Sequence, residues 1–129
     1  MKSVDTNILI RVFTKDDPVQ TPLAADAFRK PAFVSHGVIR ETEWVLRSNY
    51  GWPRAEIANA LRGLLNVETV TIPDRELIAW SLDRYAAGAD FTDMLHLIAS
   101  RDLDAFLTFD MGMAGAAGPA APVRIERLS

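Results

Sequence analysis

The chain has 129 residues, 49% hydrophobic and 24% charged, a balance that fits one globular domain burying roughly two thirds of the surface its unfolded chain exposes. It has no cysteine, so disulfides, thiolate metal sites and cysteine nucleophiles are excluded, and a reducing cytosol suits it. The net charge of −3 hides an asymmetry: residues 1–62 carry nine Lys and Arg against seven acids, and residues 63–129 carry five against ten, so a local basic surface remains open.

In chain order, Lys2–Val4 reads as a very short strand, after which Ile8, Leu9, Val12 and Phe13 recur at helical spacing. A turn at "DDP" precedes a helical stretch over Pro22–Lys30, and Ala32–Ser35 reads as a buried strand. Helices are expected over His36–Tyr50, stopped by "GWP", and over Arg54–Leu65. "VETVTI" is a third strand, followed by helices from Asp74 to Ala87 and from Asp90 to Arg101. Ala105–Phe109 is a fourth strand, Met111–Pro122 a Gly/Ala/Pro-rich loop with a weak helical turn, and "VRIERL" a fifth strand. Short apolar strands alternating with helices predict an α/β fold, a mainly parallel sheet covered on both faces, as a single domain over residues 1–129. No apolar run approaches the roughly 18 residues of a transmembrane helix, and Asp5 and Arg11 interrupt any signal-peptide core. The expectation is a soluble, unprocessed, cytoplasmic protein with no membrane association.

Five acids stand at places where a parallel α/β sheet gathers ligands. Asp5, in "SVDTN", ends the first strand; as an N-cap it would have an ordinary structural role, yet ligands of open α/β sheets bind at the strand C-termini, and with the other acids in view the cap is expected to fall to Thr6 or Asn7. On the helix His36–Tyr50 the expected buried stripe is Val38, Thr42 and Val45, which Glu41 borders. Glu43, between Arg40 and Arg47, reads as a solvated ion-pair residue. Asp90 and Asp93 resemble a capping box, with Asp93 at the mouth of an apolar helix. Asp110 follows a strand directly, where a turn-initiating Asp is the plain alternative. His96 on its apolar helix reads as a core or interface residue, Trp44 and Trp80 as packing residues, and two histidines without cysteine argue against zinc.

Together, Asp5, Glu41, Asp93 and Asp110 are expected to converge on one sheet edge. Two carboxylates about 4 Å apart repel by about 4 kcal/mol at an effective dielectric near 20, so such a cluster calls for protonation or a cation. Oxygen-only ligands select hard ions, Mg²⁺ or Mn²⁺, and that chemistry points to metal-assisted phosphodiester hydrolysis. Setting these four acids aside leaves the rest of the chain net positive. Arg11, Lys15, Arg40 and Arg47, on the helices after Asp5 and around Glu41, are candidates for holding an RNA backbone.

At these residues the chain resembles the PIN domain, and within it VapC-like toxins of bacterial toxin–antitoxin pairs. "VDTNILIR" is similar to the family's first motif, "VIRETEWVLRSNYG" to its second with Glu41 at the acidic position, "GADFTDMLHLIAS" to its third and "FLTFD" to its fourth. After Asp110 the family often has a basic residue and an aromatic, where this chain has Met111, Gly112 and Met113. The resemblance implies a three-layer α/β/α sandwich with a central, mainly parallel sheet of four to five strands. It implies an endoribonuclease dependent on one or two Mg²⁺ or Mn²⁺ ions held by Asp5, Glu41, Asp93 and Asp110, with Asp90 an additional acid. Thr6, Asn7 and Thr108 would orient the carboxylates, and the partners would be RNA, a small antitoxin and a second copy of the chain. Two alternatives stand beside it: a non-catalytic module binding RNA or protein, and an aspartyl-phosphate phosphotransferase. The latter is disfavoured by Asn7 two residues after Asp5 and by the lack of any lysine beyond Lys30.

Overall fold

In the computed structural model, which describes residues 1–129, the elements run β1 (Lys2–Ser3), α1 (Thr6–Thr14), α2 (Gln20–Ala27), β2 (Ala32–Phe33), α3 (His36–Ser48), α4 (Arg54–Leu65), β3 (Val70–Thr71), α5 (Arg75–Ala86), α6 (Phe91–Ala99), β4 (Phe106–Thr108), α7 (Met113–Ala117) and β5 (Ile125–Arg127). Every expected strand is present and short. The chain divides into two compact units, Met1–Arg75 and Glu76–Ser129.

In the first unit the strands lie in the order β1-β2-β3, all parallel, with Lys2 opposite Ala32 and Ala32 opposite Val70. Parallel neighbours need crossovers, which α1–α2 and α3–α4 supply. In the second unit β4 and β5 pair in parallel, Phe106 opposite Ile125. The ladders thus form a three-stranded and a two-stranded sheet, where one continuous sheet of four to five strands was expected. The "VETVTI" segment contributes only two strand residues, because the Val70 amide is spent on a turn to the Val67 carbonyl at 3.0 Å.

Buried Leu9 and Ile10 of α1, Ile39 and Leu46 of α3, and Ile57 and Leu61 of α4 form the core of the first unit, with α1 packed on α2 and α3. Burial of side chains this size contributes about 1.5–3 kcal/mol each before entropy is counted. On α3 the buried set is Ile39, Thr42, Glu43 and Leu46, one step round the helix from the expected Val38, Thr42 and Val45. The larger side chains Ile39 and Leu46 win the interior, and the rotation takes Glu43 inward: it is 4% exposed, not solvated.

In the second unit Met94 and Leu97 of α6 pack with Ala89, Met113, Ala117 and Val123, flanked by Trp80, Phe106 and Ile125. Tyr85 meets Phe91 edge to face, ring centres 5.5 Å apart. No helix of the chain is long and apolar enough to cross a membrane.

Candidate active site

β1 delivers Asp5 in extended conformation at the start of α1, where its Oδ1 accepts the Ile8 amide at 3.2 Å. Asp5 is therefore the helix cap itself, although Thr6 or Asn7 was expected to free it of that duty. The reason is register: an N-cap needs non-helical backbone, and Thr6 is already the first helical residue. Asp5 is exposed, and its second carboxylate oxygen carries no hydrogen bond. Thr6 instead turns its buried hydroxyl to α3 and donates to Oε1 of Glu41. A carboxylate held by a neighbouring hydroxyl is oriented before any ligand arrives. Asn7 is exposed.

Ser35 caps α3 in the same way as Asp5 caps α1, its Oγ accepting the Val38 amide at 3.2 Å. On α3, Glu41 faces out while Glu43 is buried and receives Nε of half-exposed Arg47 at 2.7 Å. Arg11 is also engaged: Nε donates to Gln20 at 2.7 Å and Nη1 to Asp16 at 3.2 Å, with the Tyr50 hydroxyl at 3.4 Å. The Tyr50 contact is the largest cause of a rise in the Arg11 pKa above its ordinary value. Hydrogen bonds from Thr14 and Tyr50 hold Asp16 below the usual carboxylate range. Of the four cations read as RNA contacts, Arg11 and Arg47 thus have intramolecular partners. Exposed Lys15 and Arg40 have none, and Arg40 lines a shallow pocket with Glu41 and Trp44.

In the second unit Asp90 caps α6, its Oδ1 accepting the Asp93 amide at 2.8 Å. The Asp93 carboxylate, on the first turn of α6, accepts no hydrogen bond in return. Burial pushes its pKa above the ordinary value, and the charges of Asp90 and Asp110 push it further, against a small opposing effect of His96. His96, expected in a core or interface, is not in the core: it is exposed on the last turn of α6. Asp110 follows β4 in a tight turn: its amide donates to Thr108 Oγ1 at 2.9 Å and its Oδ1 accepts the Gly112 amide at 2.7 Å. Thr108 thus fixes the backbone of Asp110.

Each unit therefore holds part of the expected set, Asp5 and the Thr6-bonded Glu41 in one, and Asp93 with the charges of Asp90 and Asp110 in the other. In neither does a group of three or more acids or histidines gather as a ready-made cation cage. The donors are all oxygen, and negative charge is crowded on an Asp93 that lacks a proton donor, a combination that fits a hard divalent ion.

Arg84 has a structural part that its position in the sequence did not reveal. From α5 it donates Nε to the Ala116 carbonyl at 2.7 Å and Nη2 to Gly115 at 3.4 Å, holding the C-terminal end of α7. Its guanidinium lies against Gly118, whose φ of 75° and crowding suit glycine: an added Cβ would lie 3.2 Å from Cζ. A family model described as the PIN domain matches residues 2–119, which include all of these residues. No curated protein and no solved structure matches the chain.

Proposed function

The chain belongs to the PIN-domain family, whose fold is of nuclease type, and from that premise we propose that it is an endoribonuclease dependent on Mg²⁺ or Mn²⁺. The observation that carries this reading is the crowding of Asp90 and Asp110 on the partly buried Asp93, a pattern of repelling acids that a cation would relieve. Asp93 and Asp110 with Asp90 in the second unit, and Asp5 and Glu41 in the first, are the acids that would serve as ligands of a divalent ion. When bound, such an ion supplies Lewis acidity at the phosphoryl group and a more acidic water.

The chain's own residues supply the rest. Thr6 presents the Glu41 carboxylate in one orientation, Asp5 keeps one oxygen free while the other caps α1, and Thr108 and Gly112 fix Asp110. Lys15 and Arg40 are free to meet phosphates of the substrate. By family expectation the protein is the toxin of a toxin–antitoxin pair, a homodimer restrained by a small antitoxin, acting in the cytoplasm.

The test is cleavage of RNA with Mg²⁺ or Mn²⁺. EDTA should abolish it, and Asp5→Asn or Asp93→Asn should lower it by about a hundredfold or more, the scale on which loss of one electrostatic group acts. Cleavage that persists in EDTA and in both variants would sink the proposal. RNA binding without cleavage by the wild type would favour the non-catalytic module. Induced expression should arrest growth with the wild type and not with Asp5→Asn if the toxin assignment holds.

A further inference from the structure

Trp44 was read as a packing residue, and it packs only in part: on α3 it is 53% exposed. An indole left in water forgoes burial energy that this chain elsewhere collects, so a ligand that covers it gains that energy. Its neighbours say what kind of ligand. The pocket beside it is lined by Arg40, Glu41 and Trp44 alone. Arg40 and Trp44 are four residues apart, hence on one helix face, and Glu41 adjoins them. Arg40 is also the one arginine of the Met1–Arg75 unit with no hydrogen bond or ion pair, since Arg11, Arg29, Arg47, Arg54, Arg62 and Arg75 all have one.

An unpaired guanidinium beside a half-exposed indole matches a nucleotide, with phosphate on the cation and base on the ring. We propose that Arg40 and Trp44 form a subsite for one unpaired RNA base and its phosphate beside Glu41. The inference rests on the ribonuclease reading and deepens it. The phosphodiester of the held nucleotide lies next to Glu41, whose carboxylate Thr6 already fixes. A duplex keeps both faces of each base inside its stack and cannot offer one to Trp44, whereas a loop or a free end can. Stacking accepts any base, so the subsite takes an unpaired base of any identity.

The probes are a short single-stranded oligoribonucleotide and a blunt duplex containing it, titrated in EDTA against the full chain. Trp44→Ala should weaken single-strand binding by about tenfold to a hundredfold, the range of one stacked base, and leave duplex binding near the wild-type value. Trp44→Phe should recover part of the loss. Arg40→Gln should lower the salt dependence of single-strand binding by about 0.7 in log–log slope, the value for one phosphate contact.

Equal loss on both RNAs, no loss with Trp44→Ala, or no RNA binding by the wild type would each overturn the subsite. So would Trp44→Ala splitting a dimer while RNA binding stays intact, because the ring would then belong to a second copy. The underlying reading is tested separately, by cleavage with Mg²⁺: strand-selective binding without cleavage removes the nuclease and keeps the subsite. Cleavage with KM unchanged in Trp44→Ala does the opposite.

Discussion

Two acids two residues apart on α3 meet opposite fates. Glu41 is exposed and takes the Thr6 hydroxyl, while Glu43 is buried and takes Arg47. We expect Glu41→Gln to abolish cleavage with unchanged urea stability. Glu43→Gln should do the reverse, lowering stability by about 1–2 kcal/mol while cleavage by the folded fraction survives. The figure is below the usual penalty for breaking a buried pair because Arg47 is half exposed and rehydrates when released. The helical wheel and the motif both singled out Glu41, the wheel from the wrong stripe. Helical periodicity misled, since Val38–Thr42–Val45 and Ile39–Glu43–Leu46 share the same spacing and differ by one step of rotation. Side-chain size decided for Ile39 and Leu46, and the arginine four residues after Glu43 made its burial tolerable.

At the scale of elements, α7 is the dependent one. Five residues cannot sustain a helix alone, so α7 stands on burial of Met113 and Ala117 and on Arg84 at its C-terminal carbonyls. Its first turn begins beside the Gly112 amide that grips Asp110. Arg84→Ala should therefore cost about 1–2 kcal/mol in unfolding and lower cleavage by roughly tenfold, as a charge-assisted hydrogen bond is lost and the Asp110 turn loosens. A cycle with Asp110→Asn should be non-additive, and full additivity would show that the two residues act apart. The caps at Asp5 and Ser35 emerged only with the backbone in place; the helices were legible in advance, and so was the cap at Asp90, whose side chain accepts an amide proton. The link from Arg84 to residue 116 was not, because contacts across some thirty residues leave no local pattern.

For the whole molecule, the burial of Asp93 and the charges of Asp90 and Asp110 around it set a dependence on pH and on divalent ions. Its pKa is raised in the folded protein, so the folded state holds that proton to higher pH than the unfolded chain does. Below the ordinary carboxylate value both states are protonated and nothing is lost. As pH climbs from there through the raised value, stability falls, and it stays lower at neutral pH. Asp93→Asn removes this term. Its Tm at pH 7 should exceed the wild type's by about a degree or two, a modest figure because solvent screens the partly exposed group, and the gap should close below the ordinary carboxylate range. Mg²⁺ should raise the Tm of the wild type and have a smaller effect on the variant. An equal ion effect on both would show that Asp93 is not a ligand.

Asp5 and Asp90 each serve as the N-cap of a helix as well as a member of the acidic set. Asparagine caps a helix about as well as aspartate does, and one nucleotide change converts the one codon into the other. Copies of this gene can thus lose a charge at the site and still yield a folded protein that retains its other surfaces. If the protein pairs with a second copy and cuts RNA as proposed, such silent descendants would sequester a wild-type partner or occupy RNA without cutting it, and inactivation in a lineage would leave no broken fold behind.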